Sequence, residues 1–411
     1  MKTPKLYFFN ESAEKNLSGV LFKNHILKKK IIKLLDKSGP TTINQVSKKF
    51  NSSSPKINTL IQELIEDGII EDLGKAETEV GRRPNLYGLT SNSIYFLGVD
   101  VGHNLIEIGV VDFNENLIAL EKKPYNLDNT QESLDDLCNI INNFLDTNKS
   151  WREKIVRVGV NVSGRVNHIN GYSHDFFNFH NLPLSEILTK EIGITTLIEN
   201  DTRARAFYEF YNQGLTERKN ILFINVDWGL GLGVLANGEI QYGKSGYSGE
   251  FGHIPFFNNE IICRCGKKGC LETEVSGKAL VKVFEQKIRE GHSSSLQGTK
   301  VIPAQEFTME NIINAANEDD ILSIEIIGEM ASKLGKGITT LIHIFNPEQI
   351  IIGGALSLAG DYFFLPLQMA VNKFSINVVR EDTKITLSKI KEGTGVLGAC
   401  YLAKDKILNS K

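Results

Sequence analysis

Cysteine is scarce in this chain, with five residues among 411, and three of the five fall between residues 263 and 270. Long apolar runs are missing as well: no stretch of about 18 uncharged apolar residues occurs, so the sequence predicts no membrane-spanning helix. The first residues, MKTPKLYFFNESAEKN, lack the apolar segment of a signal peptide. We therefore expect a cytoplasmic protein, in which clustered cysteines indicate a metal site or catalysis rather than disulfides.

The composition is that of an ordinary globular protein, with 41% apolar and 23% charged residues in a chain long enough for two or three domains. The net charge of -3 conceals an uneven distribution. Residues 1–90 contain 15 basic and 10 acidic side chains (+5), which leaves 31 basic and 39 acidic side chains (-8) for the rest. This imbalance is typical of a protein whose N-terminal segment alone meets a polyanion.

The N-terminal segment, residues 1–90, is called the head. Apolar residues at helical spacing predict a first helix over 20–37, which a Gly-Pro pair ends. Thr42 and Gln45 form the pattern of a capping box, which predicts a short second helix. After a polar turn, Ser54 as cap and Pro55 at the first helical position predict a third helix.

A strand beginning at Ile69 and a return strand within residues 81–89 are expected after the third helix. Two helices, a tight turn, a third helix and a β-wing make up the winged helix-turn-helix arrangement. That arrangement places its third helix in the major groove of DNA. A small helical domain for dimerisation or protein binding is the alternative for the head.

This arrangement predicts three sets of DNA-contacting residues. Polar side chains near the start of the third helix suit base edges, lysines suit phosphates, and arginines suit a narrow minor groove. The base-edge set is Ser53, Lys56, Asn58 and Thr59, the phosphate set is Lys48 and Lys49, and the minor-groove pair is Arg82 and Arg83. A solvated linker is the alternative for the two arginines.

From residue 94 onward, apolar strands alternate with helical segments, which predicts an α/β body with extensive buried sheets. Two segments, GVDVGHNLIEIGVVD at 98–112 and NVDWGLGLGVLANG at 225–238, repeat one plan of aspartate, glycine and β-hairpin. This repetition indicates a duplicated fold with a cleft between its halves. Cys138 and Cys400 lie in apolar helical contexts, so we expect both to be buried packing residues.

A longer segment, INVDWGLGLGVLANGEIQYGKSGYSGEFGHIP followed by CRCGKKGCLE, resembles the ROK family of repressors, open reading frames and sugar kinases. The resemblance covers residues 20–405 and includes the winged head of the family's repressor branch. It implies an α/β fold: a duplicated actin-like (ribonuclease H-like) ATPase-type body of two lobes that clasp a sugar, behind an N-terminal winged helix-turn-helix domain. The domains expected are residues 1–90 for the head and linker, 91–205 for the first lobe, and 206–411 for the second lobe, whose C-terminal helix packs back on the first.

The clustered cysteines fit a metal site. Cys263, Cys265 and Cys270 in C-x-C-G-x-x-G-C, with His253 ten residues earlier, supply the three thiolates and one imidazole of a tetrahedral structural zinc site. The resemblance assigns the same four positions as zinc ligands. We expect one structural Zn2+ per chain, and reduced thiols on a loop are the alternative. Since imidazole has two nitrogens, His253 is able to bind zinc through one and a sugar hydroxyl through the other.

The resemblance also implies a set of residues whose carboxylates, amides and imidazole pair with sugar hydroxyls. Asn200 and Asp201 match the family's sugar-binding asparagine and its catalytic aspartate, so Asp201 matches the kinase base. The other matched positions are Gly164, Arg165, Asn178, Glu250, His253 and Glu272. Asn178 lies in HDFFNFH, which departs from the family's usual Pro-Asn-Leu segment, so the sequence does not identify the sugar.

Two glycine-rich loops cradle the ATP phosphates in kinases of the family. Where those kinases have Asp-x-Gly-Gly-Thr, this chain has Asp100-Val101-Gly102-His103-Asn104, and where they have Gly-Thr-Gly it has Gly229-Leu230-Gly231. Both loops have lost phosphate-binding residues. We therefore predict a sugar sensor without catalytic residues.

The sequence thus predicts a sugar-responsive transcriptional regulator, a repressor of carbohydrate uptake or catabolism genes that a sugar or sugar phosphate releases from operator DNA. A homodimer or homotetramer without membrane association is expected. An ATP-dependent sugar kinase of the ROK family is the alternative. A structural zinc protein without a ligand would leave the sugar-binding set unexplained.

Overall fold

The computed structural model describes residues 6–9, 17–76, 83–212, 219–297, 307–389 and 393–409. The chain forms two compact units. The first unit comprises Met1–Asp201 and Gly395–Lys411, and the second comprises Thr202–Thr394. Among the described residues, no helix has both the length and the apolar character needed to cross a bilayer.

The head contains three helices in the predicted order. They are α1 (Gly19–Ser38), α2 (Ile43–Phe50) and α3 (Ser54–Glu66). The capping box is present at the start of α2, where the Gln45 N–H donates to the Thr42 hydroxyl at 3.3 Å and the Thr42 N–H donates to the Gln45 side chain at 2.9 Å. Helix α3 begins one residue earlier than expected, because the Ser53 carbonyl already accepts from the Ile57 N–H.

A β-wing follows α3. Its two antiparallel strands are β1 (Ile70–Lys75) and β2 (Asn85–Leu89). Thr41, just before α2, exchanges both main-chain hydrogen bonds with Tyr87 at 3.0 and 2.9 Å, which joins the helical segment to the wing. Gly68, at φ 74, turns the chain from α3 into β1. These elements confirm the winged helix-turn-helix arrangement.

The remainder of the first unit is built on a five-stranded sheet with the order β5-β4-β3-β6-β9. The strands are β3 (Tyr95–Val101), β4 (Leu105–Asp112), β5 (Leu117–Pro124), β6 (Ile155–Val162) and β9 (Thr196–Asn200), and a small hairpin is formed by β7 (Val166–Asn167) and β8 (Tyr172–Ser173). The helices are α4 (Gln131–Thr147), α5 (Lys149–Arg152), α6 (Leu184–Ile192) and the C-terminal α13 (Thr394–Asn409). The central strands β3 and β6 are buried almost throughout, which explains their continuous apolar sequences.

Helix α13 lies directly on this sheet, and two glycines allow the close approach. A Cβ atom at Gly98 in β3 would lie 2.3 Å from the Val396 carbonyl oxygen, and one at Gly159 in β6 would lie 2.3 Å from the Ala399 carbonyl oxygen. Both distances are shorter than any normal contact of a Cβ atom. Glycine is therefore required at both positions for α13 to pack where it does.

The head shares one hydrophobic core with the sheet and α13. Buried side chains of α1 and α3 contact a cluster that includes Phe96, Phe113 and Cys400. The head is therefore packed against the rest of the first unit as well as linked to it. Cys138 of α4 is buried in a separate cluster of the same unit. Cys138 and Cys400 are therefore both packing residues, as expected.

The second unit contains a five-stranded sheet with the order β12-β11-β10-β13-β14. Its strands are β10 (Ile221–Val226), β11 (Leu230–Ala236), β12 (Glu239–Ile240), β13 (Gln349–Gly353) and β14 (Lys384–Leu387). Its helices are α7 (Asp201–Asn212), which begins with the last residue of the first unit, α8 (Gly277–Arg289), α9 (Met309–Asn317), α10 (Ile321–Phe345), α11 (Asp361–Phe374) and α12 (Asn377–Glu381). Both sheets consist of an antiparallel three-stranded meander followed by two parallel strands. This identity of plan confirms the duplicated fold.

Candidate functional site

The second unit brings together the four predicted metal ligands. One nitrogen of His253 and the Sγ atoms of Cys263, Cys265 and Cys270 all lie within 4.8 Å of one another. His253 Nδ1 lies 3.4 Å from Cys263 Sγ, and Cys265 Sγ lies 3.6 Å from Cys270 Sγ. Around a tetrahedral zinc ion, bond lengths of about 2.0 Å to nitrogen and 2.3 Å to sulfur place neighbouring ligands about 3.5–3.8 Å apart. The donor set and its spacing fit a four-coordinate metal ion.

The loop that carries the cysteines folds back on itself. Two isolated β-bridges hold it, Pro255 with Cys270 and Ile262 with Lys268. Gly269 adopts φ 73, and a Cβ atom there would lie 2.1 Å from the Phe257 carbonyl oxygen. The second glycine of C-x-C-G-x-x-G-C is therefore required for this loop to close.

Two of the three thiols of the cluster lie in an environment that disfavours an uncompensated thiolate. Burial raises the pKa of the Cys263 thiol to about 12, and burial also raises the pKa of the Cys270 thiol. At Cys265, burial acts in the same direction, but hydrogen bonds from the Lys267 backbone and from the other two thiols outweigh it and lower the pKa. A bound divalent cation would supply the positive charge that three thiolates need here.

The two ring nitrogens of His253 face different groups. Nδ1 is directed at Cys263, whereas Nε2 lies 3.8 Å from the Glu250 carboxylate, whose side chain is 39% exposed. The imidazole is therefore able to bind a metal through Nδ1 while Nε2 remains on the side of an accessible carboxylate. The dual role of His253 in binding a metal and a sugar stays a prediction.

Glu272 connects the loop that carries the clustered cysteines to the hairpin of β10 and β11. Its Oε2 accepts a hydrogen bond from the Leu230 N–H at 3.1 Å. Its Oε1 lies 3.7 Å from Arg264 Nε and 3.7 Å from Cys263 Sγ. The side chain is only 12% exposed, so this carboxylate supports the turn between β10 and β11 in addition to any role in ligand binding.

The structure corrects the expected location of the second glycine-rich loop. Leu230 and Gly231 lie in strand β11, and the turn of the hairpin consists of Asp227, Trp228 and Gly229. The pairing of Val226 with Leu230 closes the hairpin there, so the glycines at 231 and 233 serve packing in the strand. A Cβ atom at Gly231 would lie 2.1 Å from the Thr202 hydroxyl oxygen.

Two carboxylates accept hydrogen bonds from backbone N–H groups at this turn. Asp227 Oδ1 accepts from the Trp228 N–H at 2.9 Å, and Glu272 accepts from the Leu230 N–H. Asp227 Oδ2 also forms an ion pair with Arg205 at 3.0 Å. In a phosphate-binding loop such amides point at the ligand, whereas here two of them donate to carboxylates of the chain itself.

The corresponding turn of the first unit is Gly102-His103-Asn104. The Gly102 N–H donates to the Leu105 carbonyl at 2.9 Å, while the carbonyls of His103 and Asn104 accept from the chain at Leu127 and Tyr125. This turn therefore joins β4 to the segment before α4. Asp100, at the end of β3, is buried.

Several residues predicted to bind a sugar meet at the C-terminal end of β9 in the first unit. Asn200 Nδ2 donates to the Gly164 carbonyl and to Asp201 Oδ1, both at 3.0 Å. The Ser163 hydroxyl donates to Asp201 Oδ2 at 2.8 Å. Ser163 was missed from the sequence, because a single serine before a glycine carries no signal of its partner 38 residues away.

The other two predicted residues of this loop are held by neighbours. Arg165 forms a bidentate pair with Asp175, with Nε at 3.1 Å and a terminal nitrogen at 2.7 Å. The Asn178 side chain accepts from Asn129 Nδ2 at 2.7 Å and donates to the His174 carbonyl at 2.7 Å. Arg165 and Asn178 therefore brace the loop, and no sequence signal identifies Asp175 or Asn129 as their partners.

The predicted DNA-contacting side chains of the head are exposed. These are Lys48 and Lys49 at the end of α2, and Ser53, Lys56, Asn58 and Thr59 around the start of α3. The Thr59 hydroxyl donates to the Pro55 carbonyl at 3.1 Å, within its own helix. Gln62, one turn after Asn58 on the same face, is exposed as well and was missed from the sequence.

The flanking basic residues of the head differ in their surroundings. Lys28 of α1 is only 13% exposed and pairs with Glu63 at 2.9 Å and Asp67 at 3.7 Å, so it holds α1 to α3. Arg83, at the start of the return segment of the wing, is exposed. Arg82 lies outside the described residues.

The fold and these sites define the class of protein. Residues 96–406 match the model of the ROK family, and residues 25–71 match a model of winged helix-turn-helix DNA-binding domains. The chain therefore belongs to the ROK family and carries a winged helix-turn-helix domain at its N-terminus.

Some relatives match nearly the whole chain, and others match about three quarters of it. A putative xylose repressor from Caldicellulosiruptor sp. is 28% identical over 94% of this chain and 98% of its own length. A glucokinase from Thermotoga maritima is 28% identical, and the match covers 98% of the enzyme but 76% of this chain. The crystal structure of a ROK family transcriptional regulator, a homologue of the E. coli MLC protein, superposes with a TM-score of 0.77 at 25% identity, over 94% of this chain and 97% of that one.

Proposed function

We propose that this protein is a sugar-responsive, DNA-binding transcriptional regulator, a repressor that a sugar or sugar phosphate releases from operator DNA in the cytoplasm. The observation that carries the proposal is the exposed polar face of α3 in an intact winged helix-turn-helix head. The match of a putative xylose repressor over 94% of the chain supports it, because the glucokinase match covers only 76% of the chain.

Sugar kinase activity is the competing function, since kinases of the family share the body of this chain. Against it stand the carboxylates of Asp227 and Glu272 on the amides of the second turn. Backbone amides that already donate to side chains of the protein are not free to bind nucleotide phosphates. ATP turnover measured over a panel of sugars tests the point: we expect no sugar-dependent turnover, and appreciable turnover would replace the regulator by a kinase.

Substitutions of base-reading residues and of phosphate-binding residues in the head are expected to change DNA binding in different ways. Asn58→Ala should relax the sequence preference at particular base pairs. The loss of one well-formed contact should reduce the free energy of discrimination between bases by about 1–3 kcal/mol. Lys48→Ala and Lys49→Ala should weaken binding to all sequences alike and reduce the salt dependence by roughly one phosphate each. Fluorescence-anisotropy titrations at several salt concentrations, on operator and on single-base variants, measure both effects.

Asn44→Ala is the matched control for these titrations. Asn44 is an exposed polar residue at the start of α2 and belongs to neither the base-edge set nor the phosphate set. Its replacement should leave both the sequence preference and the salt dependence unchanged. A change of sequence preference in Lys48→Ala, or a uniform loss in Asn58→Ala, would contradict the assignment of roles.

We propose further that the effector is bound by the residues matched to the family's sugar-binding set. These are Gly164, Arg165, Asn178, Asn200, Asp201, Glu250, His253 and Glu272. What supports the proposal in the first unit is the hydrogen-bonded group of Asn200, Asp201 and the Gly164 carbonyl. In the second unit, the support is the exposed Glu250 carboxylate beside His253 Nε2.

Loss of one carboxylate from this set should weaken the effector without disabling the head. Thermal-shift screening over sugars and sugar phosphates identifies the effector, and calorimetry then measures its affinity. Glu250→Gln and Asp201→Asn should each cost about 1–3 kcal/mol, a loss of about 5- to 150-fold. Glu239→Gln, an exposed glutamate of β12, is the matched control. Unchanged affinity in both pocket variants would remove the assignment.

For the cysteine cluster we propose a structural zinc ion, held by His253 Nδ1 and the three thiolates. Four protein ligands leave no open position for a substrate. The ion would fix the loop that carries Glu250 and Glu272 and would so hold both carboxylates in position to bind the effector.

Release from DNA is proposed to follow from a shift between two conformational states. An effector that binds one state more tightly than the other shifts the population by its difference in affinity and no more. A symmetric oligomer, a dimer or tetramer, would present two α3 helices to a palindromic operator.

A further inference from the structure

Lys404 is a buried lysine in the C-terminal helix α13, with a side chain only 3% exposed. Its ammonium forms ion pairs with Asp36, and with Glu115 at 2.7 Å. It also donates to the Phe113 carbonyl at 3.0 Å and lies 5.6 Å from the centre of the Phe113 ring. None of these residues belongs to the proposed DNA-contacting, sugar-binding or metal-binding sets.

The two carboxylates come from different parts of the first unit. Asp36 lies in the last turn of α1, the first helix of the head, and Glu115 lies in the turn between β4 and β5 of the sheet. A buried ammonium is costly without partners, so its two ion pairs hold the elements that carry them in register. Lys404 thus joins the head, the sheet and α13 at one point.

The turn that carries Glu115 is itself rigid. Asp112 Oδ1 accepts from the N–H groups of Asn114 and Asn116, both at 2.9 Å. The Asn114 side chain donates to the Ser91 hydroxyl at 2.6 Å, in the segment that connects the wing to β3. Burial raises the pKa of the Glu115 carboxyl, Lys404 opposes that effect, and the Asp36 carboxylate adds to it. Without the lysine, two neighbouring carboxylates would remain there.

The opposite end of α13 is anchored in the sheet. The Gly395 carbonyl accepts from Asn161 Nδ2 at 2.7 Å, and the same amide lies 3.1 Å from Asp100 Oδ1. A Cβ atom at Gly395 would lie 2.0 Å from the Asp100 carboxylate. Gly395 is also where the chain re-enters the first unit from the second. Helix α13 therefore runs from that crossing point to the ion pairs with the head.

We propose that Lys404 is a positioning residue that fixes the DNA-binding head against α13 and the sheet of the first unit, so that the angle of α3 follows α13. That Lys404 fixes the position of the head is inferred from its contacts with Asp36, Glu115 and Phe113 alone. Its consequence for operator binding rests on the proposed function.

The position of the head can be measured without DNA or sugar. Nitroxide labels on Asn44→Cys in α2 and Lys190→Cys in α6, both exposed sites of the first unit, report the head-to-sheet distance by pulsed electron paramagnetic resonance. The full-length chain is compared with Lys404→Met, which keeps the apolar stem and removes the charge. Lys406→Met, an exposed lysine two residues along the same helix, is the matched control.

A narrow distance distribution is expected in the unsubstituted chain and in Lys406→Met, and a broadened or displaced one in Lys404→Met. Lys404→Arg, which preserves the charge, should restore a narrow distribution. If Lys404→Met does not fold, the same distance is measured in Asp36→Asn. This substitution removes the carboxylate of the head that pairs with Lys404 and leaves Lys404 paired with Glu115. An unchanged distribution in a folded Lys404→Met or Asp36→Asn protein overturns the proposal.

Operator binding supplies the second readout, on DNA selected by the full-length chain from random duplexes. Lys404→Met should lose about fivefold or more of its specific affinity, with the salt dependence unchanged because the phosphate contacts remain. A purely stabilising lysine would lower the melting temperature but leave both readouts as in Lys406→Met, which would overturn the positioning role. Failure of the unsubstituted chain to select any DNA would instead contradict the proposed function and leave the distance measurement valid.

Discussion

Purified protein is expected to contain about one zinc ion per chain, and Cys265→Ser is expected to lose it. The Cys265 sulfur lies 3.6 Å from that of Cys270 within the group of four candidate ligands, so the substitution removes one of the four. In zinc-finger peptides the apparent binding free energy is about 10–16 kcal/mol. The loop that carries Cys263, Cys265 and Cys270 lies within a folded unit with its own core, so we expect a destabilisation of several kcal/mol rather than complete unfolding.

Elemental analysis of fresh, unchelated protein and thermal unfolding with and without chelator measure both effects. Cys138→Ala is the matched control, because Cys138 is a buried cysteine of the first unit outside the cluster. It should keep its zinc and show no added response to chelator. Absence of zinc from the unsubstituted protein would contradict the metal site, and the cluster would then be reduced thiols on a loop.

Simultaneous replacement of Lys56, Asn58 and Gln62 by alanine should abolish specific operator binding. All three side chains are exposed on α3, Asn58 and Gln62 on one face and Lys56 in the first turn, and each good base contact contributes about 1–3 kcal/mol. Specific affinity should therefore fall on the order of a thousandfold, towards the non-specific level. The melting temperature should change little, because none of the three side chains is buried.

Point substitutions in the full chain are the appropriate test, because removal of residues 1–90 would open the core that the head shares with α13. Phe96 and Phe113 would be left uncovered in such a fragment. Glu66→Ala, on the exposed last turn of α3, is the matched control for the triple variant. Full operator affinity in the folded triple variant would show that α3 does not read the DNA.

Local signals explain what the sequence predicts well. The Thr42 and Gln45 capping box and the spacing of Cys263, Cys265 and Cys270 each act within a few residues. Repeated hairpins predict the duplicated sheets for the same reason, since strand alternation and turn residues are local properties.

Contacts between distant segments explain what the sequence does not reveal. The Ser163 bond to Asp201 and the ion pair of Lys404 with Asp36 depend on the tertiary fold. The sequence pattern extends the second hairpin turn too far along the chain, because the glycines at 229, 231 and 233 all resemble turn residues. Only the pairing of Val226 with Leu230 identifies the turn. Gln62 was missed because an exposed glutamine has no periodic signal.

We propose above that the head binds specific DNA and that a sugar controls this binding. The most direct test of this proposal titrates the full-length chain, bound to DNA that it selected from random duplexes, with each sugar or sugar phosphate that calorimetry shows to bind. We expect specific binding that at least one of these compounds weakens by about 5- to 150-fold, the usual range of coupling between two sites. Selection of no specific DNA, or specific binding that none of the bound sugars alters, would contradict it.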